Sequence, residues 1–368
     1  SLSDKKNTGS FQSRPKPQIR VGWRNIFFVD GVLDKQASDL TSSDDLEILD
    51  LQQEDLSQLK WVEEIYGKLE EKSQKNRPNG FAAYNTAGAS EGVLLRIKTG
   101  KECKLHIHYE MKSRLSDSLI HNLIKLDPGA KLTLIENGAC GFRTNCLMEI
   151  DILSEARLDH IRFFEDCSQS HILTSVFVQQ AYKSVYKEFS LAFKNPFFRS
   201  EIWVSLQGLK SEVSLAGACI GVDENCQEDI VYVEHLEEHC ESRQVFKKVL
   251  SNGAIGTFQG KIFVSSKAQK TDGYQISKGL LIDSDSRFLV KPELEIYADD
   301  VVCSHGSTSG ALDEDSLFYL TSRGIEKHDA QRMLVFAFLD EAIAELEDDK
   351  LADEVRSLVT KKLELRLE

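Results

Sequence analysis

A recurring pattern of short strand-like segments constrains the fold of this chain more than any other feature. Between residues 81 and 311, apolar and polar residues alternate in short runs, such as Val93–Ile97 and Arg157–Phe163. Similar local patterns begin at residues 129, 155, 181 and 210, so they are 26, 26 and 29 residues apart. A period of roughly 20 to 50 residues is typical of a solenoid, and strands at that period predict a β-helix. A β-sandwich remains an alternative, because strand spacing alone does not separate the two folds.

The first 80 residues predict an N-terminal arm and a helical region. Asp30-Gly31 lies between two apolar runs, which is a signal for a hairpin turn. A helix is predicted further on from apolar residues at spacings of three, four and three: Leu59, Val62, Tyr66 and Leu69. Turn residues at 77–80 are expected to close this region before the β-helix core at 81–311.

Residues 312–368 predict a C-terminal helical module. Asp313 is suited to cap a helix, and Gly324 to end it. A second helix is predicted from a broad apolar stripe: Val335, Phe338, Leu339, Ala342, Ile343 and Leu346. The stripe could pack against the rest of the chain or bind a partner. This region has 15 acidic and 8 basic residues, which would attract a basic partner.

The charge and the terminal sequence exclude several functions. The net charge of −14 opposes binding to nucleic acid or to an anionic membrane unless a local basic patch exists. No run approaches 18 apolar residues, so no transmembrane helix is predicted. The polar start lacks the apolar segment of a secretory signal. We therefore expect a cytoplasmic protein.

Motifs for nucleotide binding are absent from the sequence. It contains no G-x-x-x-x-G-K-[ST] and no G-x-G-x-x-G after a strand. The eight cysteines include no C-x-x-C pair, which argues against a zinc ribbon or a thioredoxin-like site. His106 and His108 would share one face of a strand, but no further metal ligands are near. The segment His235–Cys240 could bind zinc or iron on spacing alone, although a turn between coils is the simpler interpretation.

The stretch at 291–306 carries the most informative pattern. Leu294, Ile296 and Ala298 alternate with polar residues, which predicts a strand with one buried face. Beyond it, Cys303 and His305 are two residues apart, so in an extended segment they project from the same face about 7 Å apart. A thiolate and an imidazole are donors that iron and iron–sulfur centres accept. The alternative is a buried thiol beside a hydrogen-bonded histidine.

Residues 291–325, KPELEIYADDVVCSHGSTSGALDEDSLFYLTSRGI, closely resemble the signature of the SufB/SufD family of the SUF iron–sulfur cluster assembly system. The resemblance extends to segments at 24–31, 195–202, 217–221 and 240–244. It implies a right-handed parallel β-helix with helical ends, which agrees with the periodicity. The segment at 281–288 has no cysteine, and residues 304–308 read Ser-His-Gly-Ser-Thr; both features favour the SufD branch.

The resemblance also implies a role as a scaffold without catalysis of its own. The expected partners are a SufB-like paralogue and a SufC-like ABC-type ATPase, and the isolated chain could form a homodimer. A transient iron–sulfur cluster would be shared with the SufB-like subunit, with His305 as the implied ligand and Cys303 as a weaker candidate. No cofactor is expected to be held tightly by the isolated chain. The ATPase would bind the C-terminal helices through Leu317, Tyr319, Val335, Phe338, Leu339, Ala342 and Ile343.

Two other functions remain open at this point. A purely structural adaptor would hold its partners together with Cys303 and His305 as ordinary core residues. A polysaccharide lyase or hydrolase could instead use the carboxylates of Glu295, Asp299 and Asp300 as acid and base.

Overall fold

The computed structural model describes residues 19–52, 59–113, 116–165 and 169–364. Its strands in chain order are β1 (Arg24–Val29), β2 (Val32–Leu33), β3 (Leu46–Asp50), β4 (Val93–Ile97), β5 (Glu102–Glu110), β6 (Asp117–Leu126), β7 (Lys131–Gly138), β8 (Arg143–Ile152), β9 (Arg157–Glu165), β10 (His171–Gln180), β11 (Val185–Phe193), β12 (Phe197–Leu206), β13 (Glu212–Gly221), β14 (Cys226–His235), β15 (Glu241–Leu250), β16 (Ile255–Val264), β17 (Asp272–Leu281), β18 (Arg287–Ile296) and β19 (Val302–Gly310). The helices are α1 (Lys60–Glu63), α2 (Lys68–Gln74), α3 (Gly80–Gly88), α4 (Glu314–Ser322), α5 (Lys327–Ile343) and α6 (Asp349–Glu364).

The strands form two parallel sheets that wind into a β-helix. From β4 onward, successive strands alternate between the sheets, so each odd-numbered strand pairs with the next odd-numbered strand. We call the sheet that ends with β19 sheet A and the sheet that ends with β18 sheet B. Strands of sheet A from β5 onward begin 26 to 31 residues apart, which confirms the predicted repeat. This parallel pairing from coil to coil rules out the sandwich alternative.

Side chains that point into the tube stack in columns because adjacent coils pair residue for residue. One such column in sheet B consists of β-branched residues, all fully buried: Ile124, Ile150, Val178, Val204, Val233 and Ile262. Branched side chains fit a pleated surface that is covered on both sides. The apolar alternation in the sequence thus becomes a continuous core along the axis.

The turns that lead into sheet A share one backbone conformation. A residue with positive φ precedes most of these strands by two positions: Gly100, Gly129, Glu155, Lys183, Lys210, His239 and Lys270. Glycine and asparagine adopt a positive φ most easily. A lysine or glutamate at such a position is therefore held in this backbone conformation by the strand pairing around it. His239 is one of these turn residues, in agreement with the turn predicted at 235–240.

Antiparallel strands close the first coil. β1 pairs in parallel with β5, and the Asp30-Gly31 turn leads into β2, which runs antiparallel to β1. Both turn residues have positive φ, so the predicted hairpin is confirmed. On the other sheet, β3 pairs antiparallel with β4. Strands from the N-terminal region are therefore part of both sheets.

The helices α1 to α3 cover the outer face of sheet B. Trp61, Ile65 and Leu69 pack with outward-facing strand residues such as Phe177. The single helix predicted through residues 59–69 is wrong, because Gly67 has a φ of 68° and separates α1 from α2. The turn expected at 77–80 also serves as a helix start, since the Asn79 side chain accepts hydrogen bonds from the first turn of α3.

The helices α5 and α6 cover the outer face of sheet A. Asp313 accepts a hydrogen bond from the amide of Ser316 at the start of α4, and Gly324 has a φ of 89° just after this helix ends, so both predicted boundaries are confirmed. Helix α5 ends at Ile343, so Leu346 lies in the turn that follows and is partly buried there. Within the described residues, no helix combines the length and the apolar character needed to span a membrane.

Candidate functional site: the terminal edge and the C-terminal helices

The last coil leaves one edge of each sheet unpaired, and we call strands β18 and β19 the terminal edge. Among the described strands, each has a neighbour on one side only. Apolar side chains are exposed along or beside this edge, including Leu289, Tyr297 and Val302, which are 55%, 61% and 70% exposed. An unpaired strand with apolar side chains is a template for strand pairing with another chain. Such an edge is suited to a partner that adds strands.

Cys303 and His305 lie on β19 and differ in their surroundings. Cys303 is half-buried and packs against the cluster of Ile262, Val264 and Ala268. Burial raises the pKa of its thiol, so the free thiol form is favoured at neutral pH. His305 is exposed, and its imidazole makes no hydrogen bond to any described residue. The structure thus places both residues at the terminal edge, with His305 the more accessible.

The exposure of His305 follows from its position in the last coil. In sheet A it pairs with Gln275, which pairs in turn with Gln244. Both glutamines are fully buried inside the tube. His305 occupies the same position one coil later, where no described strand follows. A partner strand added in register at this edge would enclose His305 as β19 encloses Gln275.

The described residues at the terminal edge do not form a metal site by themselves. Within the described residues, no three side chains of His, Cys, Asp or Glu converge as metal ligands. The interpretation of 235–240 as a metal site gains no support, because the Nε2 of His235 contacts the Ser242 hydroxyl at 2.8 Å and Cys240 is buried beside Ser211. A cluster at His305 and Cys303 would therefore need further ligands from another chain.

The surroundings of the carboxylates give no support to the alternative of a polysaccharide-cleaving site. Glu295 pairs with Lys261 and accepts a hydrogen bond of 2.8 Å from the Tyr297 hydroxyl, while Asp300 pairs with Lys270. The hydrogen bond from Lys261 lowers the pKa of Glu295. A general acid for glycoside cleavage needs a raised pKa.

The structure separates the predicted partner-binding residues of the C-terminal helices into two groups. Four of them face sheet A and are at most 1% exposed: Val335, Leu339, Ala342 and Ile343. They pack in a cluster with outward-facing residues of β13 and β15. Of the two alternatives for the stripe, the structure therefore shows packing against the rest of the chain for these four. A partner could reach them only if α5 left the sheet. Phe338 is partly buried, and the ammonium of Lys247 lies 4.7 Å from the centroid of its ring.

Leu317 and Tyr319 lie on α4, which is much less covered. None of the residues of α4 is buried, and Phe318 and Tyr319 are 72% and 56% exposed. Met333 of α5 is also exposed. We call Phe318, Tyr319 and Met333 the α4 face. Aromatic residues and methionine are enriched at protein interfaces, so this face is the accessible apolar surface of the C-terminal helices.

Sequence reasoning missed Leu289, Phe318 and Met333. Leu289 belongs to an apolar run at 288–290 that reads as an ordinary buried strand, but it lies on the outer face of the last coil, where its counterpart Thr257 is also partly exposed. Phe318 and Met333 fall outside the apolar stripe of α5. An apolar residue on the polar side of a helix was the available signal for both.

Comparison with known proteins identifies the family. Residues 109–338 match the family model described as SUF system FeS cluster assembly, SufBD core domain. The chain is similar to the iron–sulfur cluster assembly protein SufD of Escherichia coli K12, with 32% identity over 245 residues, or 65% of this chain and 58% of that protein. It is also similar to an iron–sulfur cluster assembly SufBD family protein of Synechocystis, with 27% identity over 316 residues, covering 81% of this chain and 69% of that protein.

A further similar protein is Protein ABCI7, chloroplastic, of Arabidopsis thaliana, with 28% identity over 298 residues, covering 76% of this chain and 62% of that protein. The matched part thus spans less than two thirds of the length of the E. coli and Arabidopsis relatives. The family model covers well over half of the chain, including the coils from the end of β5 to β19 and most of α5. The chain therefore belongs to the SufB/SufD family of the SUF iron–sulfur cluster assembly system.

Proposed function

We propose that this chain is a scaffold subunit of iron–sulfur cluster assembly that pairs with a SufB-like subunit and binds a SufC-like ABC-type ATPase. The observation that carries the proposal is that the two ends of the β-helix differ. Its first coil is closed by the antiparallel strands β2 and β3, whereas β18 and β19 each keep one free edge among the described strands. A free strand edge is a site where another chain can add strands.

Pairing with the SufB-like subunit takes place at the terminal edge in this proposal. The inner side of β18 is only partly covered, although the same positions of β16 are buried. A second β-helix placed end to end would continue both sheets and bury the inward-facing Val290 and Ile296, whose counterparts in β16 are fully buried. A second copy of this chain could use the same edge, which supports a homodimer when the isolated chain lacks its partner.

The nascent cluster is the cargo of this interface. His305 offers an imidazole without a hydrogen-bonding partner among the described residues. Cys303, two residues earlier on the same strand, offers a thiol. The raised pKa of Cys303 makes it the weaker ligand, because the thiolate is the form that binds iron. The remaining ligands would come from the SufB-like subunit.

The ATPase binds the α4 face in this proposal, with Tyr319 of this face and the adjacent Leu317 among the contacts. Helix α4 contacts α5, which lies across β13 and β15. A displacement of α4 by the ATPase would therefore be passed to the sheet that carries His305. The chain supplies no nucleotide chemistry of its own. A cytoplasmic location stays a prediction, since one relative is a chloroplast protein.

The ligand role is tested by His305→Ala in a complex with SufB-like and SufC-like subunits, reconstituted with iron and sulfide without oxygen. We expect the complex to assemble as before and the iron–sulfur absorbance to fall at least about tenfold. Ser304→Ala is the matched control, because Ser304 is the adjacent exposed residue of β19. Normal cluster formation by His305→Ala would leave a purely structural adaptor as the function.

The docking role is tested by Tyr319→Ser combined with Phe318→Ser. Co-purification with the ATPase should be lost, while pairing with the SufB-like subunit stays intact. Phe81→Ser is the control, since Phe81 is an exposed aromatic residue on α3, on the opposite side of the β-helix. Retention of the ATPase by the double variant would show that another surface binds it.

A further inference from the structure

A cavity of about 330 Å³ lies between α6 and the outer face of sheet A, near the first coils. Its walls include His106 of β5, Asn137 of β7 and Ser357 and Lys361 of α6, together with the ion pair of Arg20 and Glu354. This volume is at the lower end of the range for small-molecule sites. The cavity is far from the terminal edge along sheet A, because β5 and β19 are separated by six intervening strands.

Buried polar atoms face this cavity without partners. His106 is 4% exposed, and neither of its ring nitrogens has a hydrogen bond to a described residue. The Oδ1 of Asn137 is likewise buried without a partner. The nearby side chain of Asn137 acts to raise the pKa of His106, but the two side chains do not have the geometry of a hydrogen bond. Buried polar groups in native proteins are normally paired, so these atoms point to an additional binding partner.

The charged residues that line the cavity are Arg20, Lys361 and Glu354, so one positive charge is in excess. Arg20 pairs with Glu354, whereas Lys361 has no ion pair with any described residue. Burial, His108 and Arg20, in that order, lower the pKa of His106 to about 3. The imidazole is therefore neutral at pH 7 and offers one N–H donor and one acceptor. A positive pocket of this kind contrasts with the net charge of −14 of the chain.

We propose that this cavity binds a small molecule through an anionic oxygen group, a carboxylate or a phosphate, held by Lys361 and Arg20 and by the N–H of His106. The Oδ1 of Asn137 and the acceptor nitrogen of His106 would accept hydrogen bonds from a hydroxyl group of the same ligand. A metal ion does not fit this arrangement, because within the described residues no three side chains of His, Cys, Asp or Glu converge here as ligands. His106 and His108 lie side by side with tilted rings whose centroids are 3.7 Å apart. The positive charges of Arg20 and Lys361 would also repel a cation.

The proposal is tested by titrating the full chain with inorganic phosphate and, separately, with citrate at constant ionic strength. Binding is followed by the NMR signals of the His106 ring and by the melting temperature. We expect at least one anion to shift the His106 signals in a saturable way and to raise the melting temperature. The anion that binds more tightly identifies the ligand group as a phosphate or a carboxylate.

Lys361→Gln should weaken this binding by about tenfold, since a charge-assisted hydrogen bond is lost. Lys267→Gln removes the same charge from an exposed turn between β16 and β17 and should leave binding unchanged. The proposal is overturned if neither anion shifts the His106 signals, or if both variants weaken binding equally. It is also overturned if zinc alone, without an anion, produces the shift.

Discussion

Glu188 provides the strongest test of the buried charges inside the β-helix. It is 3% exposed, and neither of its carboxylate oxygens has a hydrogen bond to a described residue. The nearest cation is Arg162, whose Nη1 lies 3.6 Å from Oε1 of Glu188, and Arg162 already pairs with Glu136. Burial raises the pKa of Glu188 to about 8, although Arg162 acts in the opposite direction. The carboxyl is therefore protonated in the folded protein at pH 7.

The expected effect on stability follows from this pKa. The ordinary value is 4.5, so the unfolded chain loses the proton near pH 4.5 and the folded chain only near pH 8. The folded state holds the proton more tightly, so stability is greatest below pH 4.5 and falls as the pH rises towards 8. The slope is about 1.4 kcal/mol per pH unit, which amounts to roughly 2–3 kcal/mol between pH 5 and pH 7. The glutamine side chain in Glu188→Gln is neutral at every pH, so the variant lacks this decrease in stability.

The assay is urea unfolding of the native chain and of Glu188→Gln at pH 5, 6, 7 and 8. The free energy of unfolding of the variant, relative to the native chain, should increase by roughly 2–3 kcal/mol from pH 5 to pH 7. The difference in free energy of unfolding between the two proteins is used because buried histidines titrate in the same pH range, and their contribution is the same in both proteins. Burial lowers the pKa of His160, for example, which makes stability rise with pH. Glu238→Gln, at an exposed turn, is the control and should show no such trend. A difference that does not depend on pH would refute the reasoning.

Three further substitutions test the packing. Leu339→Ala should lower the free energy of unfolding by about 2–5 kcal/mol and increase hydrogen exchange in α5, because Leu339 is fully buried against sheet A; unchanged exchange would contradict this. Gly92→Ala should lower the melting temperature, since a Cβ there would lie 1.9 Å from the carbonyl oxygen of His121; a fully stable variant would show that the backbone can move aside. Arg162→Met should cost about 3–5 kcal/mol in urea unfolding at pH 7, because it leaves Glu136 buried without its cation; an unchanged midpoint would show that this ion pair contributes nothing.

Much of the fold was predictable from local patterns. The alternation in segments such as Val93–Ile97, repeated at a period of 26 to 29 residues, predicted strands that stack in coils. The hairpin at Asp30-Gly31 and the cap at Asp313 were predictable for the same reason, since each depends on a few adjacent residues. The prediction failed at Gly67, where one residue of positive φ divides a helix whose apolar spacing continues across it.

The candidate site was only partly predictable. The sequence placed Cys303 and His305 on one face of a strand, but it could not tell that this strand ends the stack. Exposure of His305 depends on the missing neighbour, whereas its equivalent Gln275 is buried. Likewise, the cavity beside His106 requires β5 and α6 to meet, although their residues are about 250 positions apart in the chain.

The sequence by itself determined the repeating coil, the helical C-terminal region and the family signature, because these depend on periodicity and on short-range order. Only the tertiary structure decided which apolar surfaces remain free. The apolar stripe of α5 is buried against sheet A, while apolar residues of α4 and of the terminal edge stay exposed. A periodic pattern states which side of a helix or strand is apolar, but what covers that side depends on elements that are distant in the chain.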